Sequence, residues 1–423
     1  MSVPVNEQEY YDLAKYWIEN RGNYGNSDGT NKRNSDSSYN QDHLPVFEQT
    51  TIEGHAVRAT LLATGVTAMA TDNKDSKYIT TANNYWNNMI GKRLFITGGQ
   101  GAIANGERFG ADYYLPESAY LETCAAIGSA FFSQSMNQLQ ADGKYMDEFE
   151  RVLYNNLLSG ISLSGDHYFY ENPLTATNHK RWAWHDCPCC PPMILKMVSV
   201  LPSYIYATDD DAVYVNLFIG STARVDLKTV KNITINQVTQ YPWKGNSQIM
   251  INTPAAQKFI VKVRIPGWAQ GKENPFDLYH SDITDPVILT VNGKPMELNV
   301  LDGYASINRT WTKGDVIELS LPVQPRWVTP NEAVNTLAGK IAIAAGPVVY
   351  GFEKIDNPDL PNFTIDNKKP LKVIYEPGLL NGVNVIVGVA NSNSKSYRFR
   401  AIPFYAMGNR VSASPYTVWV KKE

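Results

Sequence analysis

A chain of 423 residues, 43% of them hydrophobic, is long enough for two domains with substantial cores. Its net charge of −3, without any long basic run, excludes a protein that tracks a phosphate backbone, so nucleic acid is not an expected partner. No stretch reaches the roughly 18 uninterrupted apolar residues that span a bilayer, which removes the membrane as well.

The first residues, Met1 to Glu9, are polar and carry no signal-peptide pattern, pointing to the cytoplasm, or to the periplasm if a leader lies outside this sequence. Apolar residues at helical spacing predict a first helix over Tyr10–Ile18. Residues 21–42, rich in Asn, Gly, Ser and Asp, read as a long polar loop of the kind that often serves as a lid or binding loop. A second helix is expected over Thr50–Asp72, with Gly54-His-Ala-Val-Arg58 inside it, and a third over Asp75–Met89. The glycine-rich Thr97-Gly-Gly-Gln-Gly101 lacks the Lys-Ser/Thr of a phosphate loop, so nucleotide binding is not inferred. After a loop over 102–116, helices are expected at Pro116–Leu139, with Glu117 and Glu122 in the first turns, and at Gly143–Leu158. Residues 160–189 look irregular apart from the strand-like His167–Tyr170, and a last helix starts at Pro191 and runs to about Ile205.

Beyond Thr208 the period changes. Val213–Phe218, Ile233–Val238, Ser247–Ile251, Phe259–Ile265, Val287–Val291 and Val316–Leu321 are short β-rich runs. Pro266-Gly267, Asn292-Gly293 and Lys313-Gly314 supply turns between them. Further runs at Val348–Phe352, Val383–Val389 and Val418–Val420 continue the pattern to the end. The expected organisation is a helical domain over 1–206 and an antiparallel β-sandwich region over 207–423, possible as two sandwiches.

Three of the four cysteines, Cys187, Cys189 and Cys190, crowd into four positions, and the fourth, Cys124, lies two residues after Glu122. Soft thiolates with one carboxylate suit tetrahedral zinc, while adjacent cysteines make a poor disulfide. On a regular helix Glu122 and Cys124 would point about 200° apart, so a shared ion requires both cysteine segments to sit at helix entrances. A zinc-held thiolate stays deprotonated at neutral pH and can act as a nucleophile. A retaining glycosyl transfer also needs an acid/base, for which Glu107, Asp112, Glu117 and Glu171 are the candidates; Glu107 stands out for its glycine-containing loop. His55, His43 and His185 are open to core or site roles, and Tyr168, Tyr170, Trp182 and Trp184 could wall a sugar subsite or fill a core. The aromatic content, 25 Tyr and 9 Trp, fits either use.

Together, Glu122-Thr-Cys124, Cys187-Pro-Cys-Cys-Pro-Pro192, Gly54-His-Ala-Val-Arg58, Gly106-Glu107, Tyr170-Glu-Asn-Pro-Leu174 and the closing Ile402–Arg410 resemble glycoside hydrolase family 127, with family 146 close behind. The resemblance implies a non-reducing-end β-L-arabinofuranosidase acting on plant glycans, built as an (α/α)6 barrel followed by β-sandwich domains. It implies zinc held by Glu122, Cys124, Cys189 and Cys190. It makes Cys189 the nucleophile, Glu107 the acid/base, and Cys187 a motif residue that is no ligand. His55 would line the sugar site, alongside Tyr168, Tyr170 and Trp184 as substrate-binding candidates. A twelve-helix barrel needs twice the six helices counted here, so the helical part is expected as an incomplete toroid with an uncovered apolar face, or as half of a homo-oligomeric assembly. A catalytically silent carbohydrate-binding or structural protein keeping a structural zinc is the alternative, and a thiol redox protein is disfavoured by the Cys-Pro-Cys-Cys spacing.

Overall fold

The computed structural model describes residues 7–23, 38–283, 285–360, 362–392, 395–411 and 413–423; most of the polar loop expected over 21–42 lies outside them. Six α-helices come first: α1 (Glu7–Asn20), α2 (Ala56–Asn73), α3 (Ser76–Lys92), α4 (Thr123–Leu139), α5 (Gly143–Val152) and α6 (Cys190–Val200). No helix among the described residues is long and apolar enough to cross a membrane.

Two helices start later than the sequence pattern predicts, and both delays shape the site. α2 begins at Ala56, because Gly54 adopts φ +80° and His55 is extended. His55 is therefore the N-cap of α2 and does not lie on its apolar face, as the periodicity had suggested. α4 begins only at Thr123, after Leu121 at φ +50°, so Glu117 lies outside the helix and Glu122 is its N-cap residue. Hydrophobic spacing cannot register such left-handed residues, which end a helix pattern without changing its period.

α2 packs on α4 through small residues. Ala59, Ala63, Val66 and Ala70 are buried along α2, and a Cβ on Gly128 of α4 would come within 2.2 Å of Thr60 Oγ1. Gly54 is more constrained still, since a Cβ there would sit 1.9 Å from the Ser38 carbonyl oxygen. Gly54→Ala should therefore destabilise the helical part by about 2–4 kcal/mol, through a disfavoured φ plus a clash against backbone. Differential scanning calorimetry would show it as a lowered first transition, and an unchanged thermogram would refute the assigned backbone.

Among the described residues, the β-rich remainder forms three sheets. A five-stranded sheet (order 300–301, 304–311, 257–264, 212–215, 206–208) faces a six-stranded sheet (294–295, 288–291, 315–320, 246–252, 233–239, 221–225). Alternate residues from both meet in one core, among them Val261, Val263 and Ile307 from the first and Ile235, Ile249 and Ile317 from the second. Pairing is antiparallel except where 212–215 lies parallel to 257–264, and 364–365 parallel to 420–422. The last part departs from an open sandwich. Strands 340–345, 348–353, 395–403, 383–392, 364–365 and 420–422 pair in that order, and the last returns to the first, closing a six-stranded barrel. Ile341, Ile343, Tyr350, Phe352, Phe399 and Ile386 fill it from alternate positions. Closure removes the edges that a sandwich would leave, and it depends on pairing between strands far apart in the chain, which local patterning does not encode.

Buried ion pairs tie the layers together. Arg264, with no exposed surface, reaches Asp147 and Glu150 of α5 from the five-stranded sheet. Glu117 pairs with Lys340 and accepts from Thr417 Oγ1, joining the helical part to the barrel. α1 shows Tyr10, Leu13, Tyr16 and Trp17 to solvent at 52–63% exposure.

Candidate active site and metal centre

Two helix N-termini converge to make the site. Glu122 caps α4 and Cys124 lies in its first turn; Cys189 caps α6 and Cys190 is its first residue. At a helix start the backbone leaves its regular course, so residues two apart can face one point, and the unsatisfied amides favour anionic side chains there. Around α4 the chain is fixed by Thr123 N–H to the Tyr170 carbonyl at 2.9 Å, Thr123 Oγ1 to the Phe169 carbonyl at 2.8 Å, and Asn172 Nδ2 to Thr123 Oγ1 at 2.8 Å. Pro191 and Pro192 fall in the first turn of α6, where their missing N–H groups cost nothing.

The four side chains cluster tightly. Cys124 Sγ lies 3.3 Å from Cys189 Sγ and 3.5 Å from Cys190 Sγ, the latter two are 3.8 Å apart, and Cys189 Sγ is 3.4 Å from Glu122 Oε1. All four cysteines are free thiols, with Cys124 and Cys190 buried, Cys189 half-buried and Cys187 exposed. Sulfurs at the vertices of a tetrahedron around zinc, each about 2.3 Å from the ion, stand about 3.8 Å apart. The observed spacing needs little adjustment to accept one. Glu122 Oε2 is buried without a hydrogen-bond partner, as an unbound ligand oxygen would be. Burial first, then the neighbouring Cys189 and Glu107, pushes the Glu122 carboxyl up to about 9. Cys189 goes the other way: contacts from Cys124 and Cys190, followed by Tyr170 and Glu122, hold its thiol far below the usual range, while that of Cys124 is pushed up. Of the three clustered sulfurs, that of Cys189 is the accessible one, and it lies beside the Tyr170 hydroxyl.

Glu107 sits across from it in left-handed conformation, φ +51°, directly after Gly106. Two main-chain bonds seat it against α2: Ala56 N–H donates to the Glu107 carbonyl and Phe109 N–H to the Gly54 carbonyl, both at 2.9 Å. His55 Nε2 lies 2.8 Å from Glu107 Oε2, and Tyr120 Oη donates to Oε1 at 2.9 Å. Tyr170 Oη touches both halves of the site, 3.4 Å from Glu107 Oε1 and 3.2 Å from Cys189 Sγ.

The other candidates separate by their contacts. Asp112 is held by Lys92, Arg93 and Asn88, which keep its carboxyl low, and Glu117 is the tie to the barrel described above; both are structural. Glu171 bridges Glu122 along the backbone, and burial raises its carboxyl. Tyr168 is buried against Cys124 and Cys190, its hydroxyl unpartnered, whereas Trp184 stands 70% exposed. His185 packs against Tyr170 and Trp182, and no contact joins His43 to the site among the described residues. Tyr120 escaped the sequence reading; its place two residues before Glu122 was the available signal.

Family models match the chain from end to end: the GH127 catalytic domain of β-L-arabinofuranosidase over residues 2–203, the middle domain over 212–323 and the family 127 C-terminal domain over 325–421. The chain belongs to glycoside hydrolase family 127. This family 127 chain is 32% identical to a non-reducing end β-L-arabinofuranosidase of Bifidobacterium longum subsp. longum, an alignment covering 90% of the chain and 60% of that protein. A GH127 β-arabinofuranosidase structure superposes with a TM-score of 0.91 at 36% identity, over 99% of this chain and 66% of the other. The GH127 β-L-arabinofuranosidase of Geobacillus stearothermophilus T6 gives 0.90 at 32%, over 99% and 70%. The chain thus spans about 60% of the bifidobacterial protein's length.

Proposed function

We propose that this chain is a zinc-dependent retaining exo-glycosidase that removes terminal β-L-arabinofuranosyl residues from plant glycans. The observation that carries the reading is Tyr170 Oη in contact with both Cys189 Sγ and Glu107 Oε1, so a nucleophile and a proton donor face one small volume. Glu122, Cys124, Cys189 and Cys190 would hold the zinc, whose bound charge keeps sulfur anionic at neutral pH. Cys189 sulfur bonds to the anomeric carbon as the glycosidic C–O bond breaks, and Glu107 gives its proton to the departing oxygen. Glu107 then takes a proton from water, whose oxygen displaces the sulfur; two inversions return the starting configuration. Tyr170 and Trp184 are assigned to the sugar, with Tyr168 backing them; His55, expected there as well, has both ring nitrogens engaged, by Arg58 N–H and by Glu107. The six helices are read as part of an α/α toroid, with 1–206 as the catalytic domain and 207–423 as the β region, its first two sheets a sandwich.

A silent protein with a structural zinc would close all four ligands from solvent; the half-buried Cys189 and the Glu107 side chain at 30% exposure favour the enzyme. Zinc-replete protein incubated with an aryl β-L-arabinofuranoside should release the phenol, and proton NMR should show the first-formed sugar in the substrate's configuration. A first-formed sugar of opposite configuration would rule out the cysteine mechanism. Independently, Glu122→Ala removes the one hard ligand of the set. Elemental analysis of the purified variant should give well below one zinc per chain, against one for the parent; equal loading would take Glu122 out of the ligand set.

A further inference from the structure

We propose that His55 is a positioning residue: the first turn of α2 fixes its ring as the neutral Nε2–H tautomer, and that N–H grips Glu107 Oε2 so that the transferable proton of Glu107 rides on Oε1. The inference rests on the proposed role of Glu107. Residues that usually cap helices offer an oxygen, as Ser, Thr, Asp and Asn do. Here the acceptor is a ring nitrogen: Arg58 N–H, the third amide of α2, points at His55 Nδ1 at 3.5 Å. A backbone amide only donates, so Nδ1 must present its lone pair, and a neutral ring then carries its proton on Nε2. The helix N-terminus carries partial positive charge, which opposes a second proton on the ring. Burial acts in the same direction, lowering the imidazole's affinity for a proton; the Glu107 charge opposes it and the Arg58 charge reinforces it.

The ring has little freedom to choose otherwise. The His55 backbone N–H donates to the Tyr39 carbonyl at 3.2 Å, and the Tyr39 ring stands edge-on to the imidazole with centroids 5.6 Å apart. The paired backbone at Gly54–Ala56 and Glu107–Phe109 sets Nε2 opposite Oε2 at 2.8 Å. Since Nε2–H can only donate, the proton that Glu107 exchanges cannot lie in that bond. It belongs on Oε1, whose partners Tyr120 and Tyr170 are hydroxyls: they donate to the carboxylate but, unlike a ring N–H, can turn to accept once Oε1 is protonated, and Tyr170 leads on to the Cys189 side. His55 therefore selects which carboxylate oxygen performs proton transfer.

Two substitutions separate the two ring nitrogens. His55→Asn places an oxygen where Nδ1 caps the helix and loses the donor to Glu107. His55→Gln carries an amide N–H to the Nε2 position and gives up the cap. The expected pattern is that His55→Asn melts with the parent but loses kcat on the order of 10²-fold on poor leaving groups, less on activated aryl glycosides, with KM little changed. His55→Gln should keep kcat within about tenfold and melt about 2 °C lower. The opposite pattern, an active His55→Asn and a slow His55→Gln, would reduce His55 to a helix cap and overturn the proposal. Nitrogen-15 NMR of histidine-labelled protein, with the His55 signals identified by their loss in His55→Asn, reads the tautomer without any turnover. A protonated Nδ1 in an active protein sinks this inference alone. The Nε2–H form in a protein that cleaves no arabinofuranoside leaves the hydrogen-bond assignment standing and sinks the proposed reaction instead.

Discussion

Replacing Cys189 with serine should cut turnover by on the order of 10³-fold or more on every substrate, whatever its leaving group, while the fold survives. The reason is the nucleophile itself. A hydroxyl in that position is a far weaker acid than a thiol and keeps its proton near neutral pH, and the carboxylate beside it, Glu122 Oε1 at 3.4 Å from Cys189 Sγ, is assigned to the proposed zinc. The side chain is half-buried at the cap of α6, so losing the larger sulfur opens no core cavity. Steady-state kinetics, a melting curve and zinc content on the same preparation test this together. A variant that keeps zinc and melts with the parent, yet turns over at more than about a tenth of its rate, would remove Cys189 as nucleophile.

Glu107→Gln is expected to act differently, and the contrast is the informative part. An amide can neither give nor take the proton, so substrates with poor leaving groups should lose about 10²–10⁴-fold, while activated aryl glycosides depart with little help in the first step. The second step still needs a base for water, so with activated substrates a burst of released phenol should precede slow turnover. Azide, a nucleophile that needs no deprotonation, should accelerate that slow phase. Equal losses across leaving groups and no azide effect would move the acid/base role elsewhere, with Glu171 next in line as a half-buried carboxyl raised by its surroundings.

The divide between what was legible and what was not falls at backbone irregularities and long-range pairing. Residue types alone carried the chemistry: three cysteines in four positions, a fourth two residues from a glutamate, and Glu107 in a glycine-containing loop are unusual enough to mark the cluster in the sequence. The helix-to-strand change of period near residue 208 and the main strands were readable for the same local reason, since side-chain spacing follows from backbone geometry. That reading also supplied the condition that both cysteine segments must lie at helix entrances for their side chains to meet, which α4 and α6 fulfil.

Tertiary structure decided the rest. Where α2 and α4 start depends on left-handed residues such as Gly54, whose carbonyl accepts from Phe109 N–H and whose missing Cβ leaves room for the Ser38 carbonyl, and Leu121, whose N–H donates to the Gly101 carbonyl; no periodicity reports them. The same effect moved His55 from a helix face to a cap, which gives its two nitrogens separate partners. Asp112 and Glu117 were indistinguishable from Glu107 as carboxylates in sequence; the cations and hydroxyl that claim them come from residues 92, 93, 340 and 417. The closing of the last strands into a barrel likewise rests on pairing 340–345 with both 348–353 and 420–422. Composition and spacing fixed which groups this protein has for chemistry, because those are properties of single residues. Only the folded chain determined which of them meet, because contact between residues tens or hundreds of positions apart is set by packing and hydrogen bonding across the whole molecule.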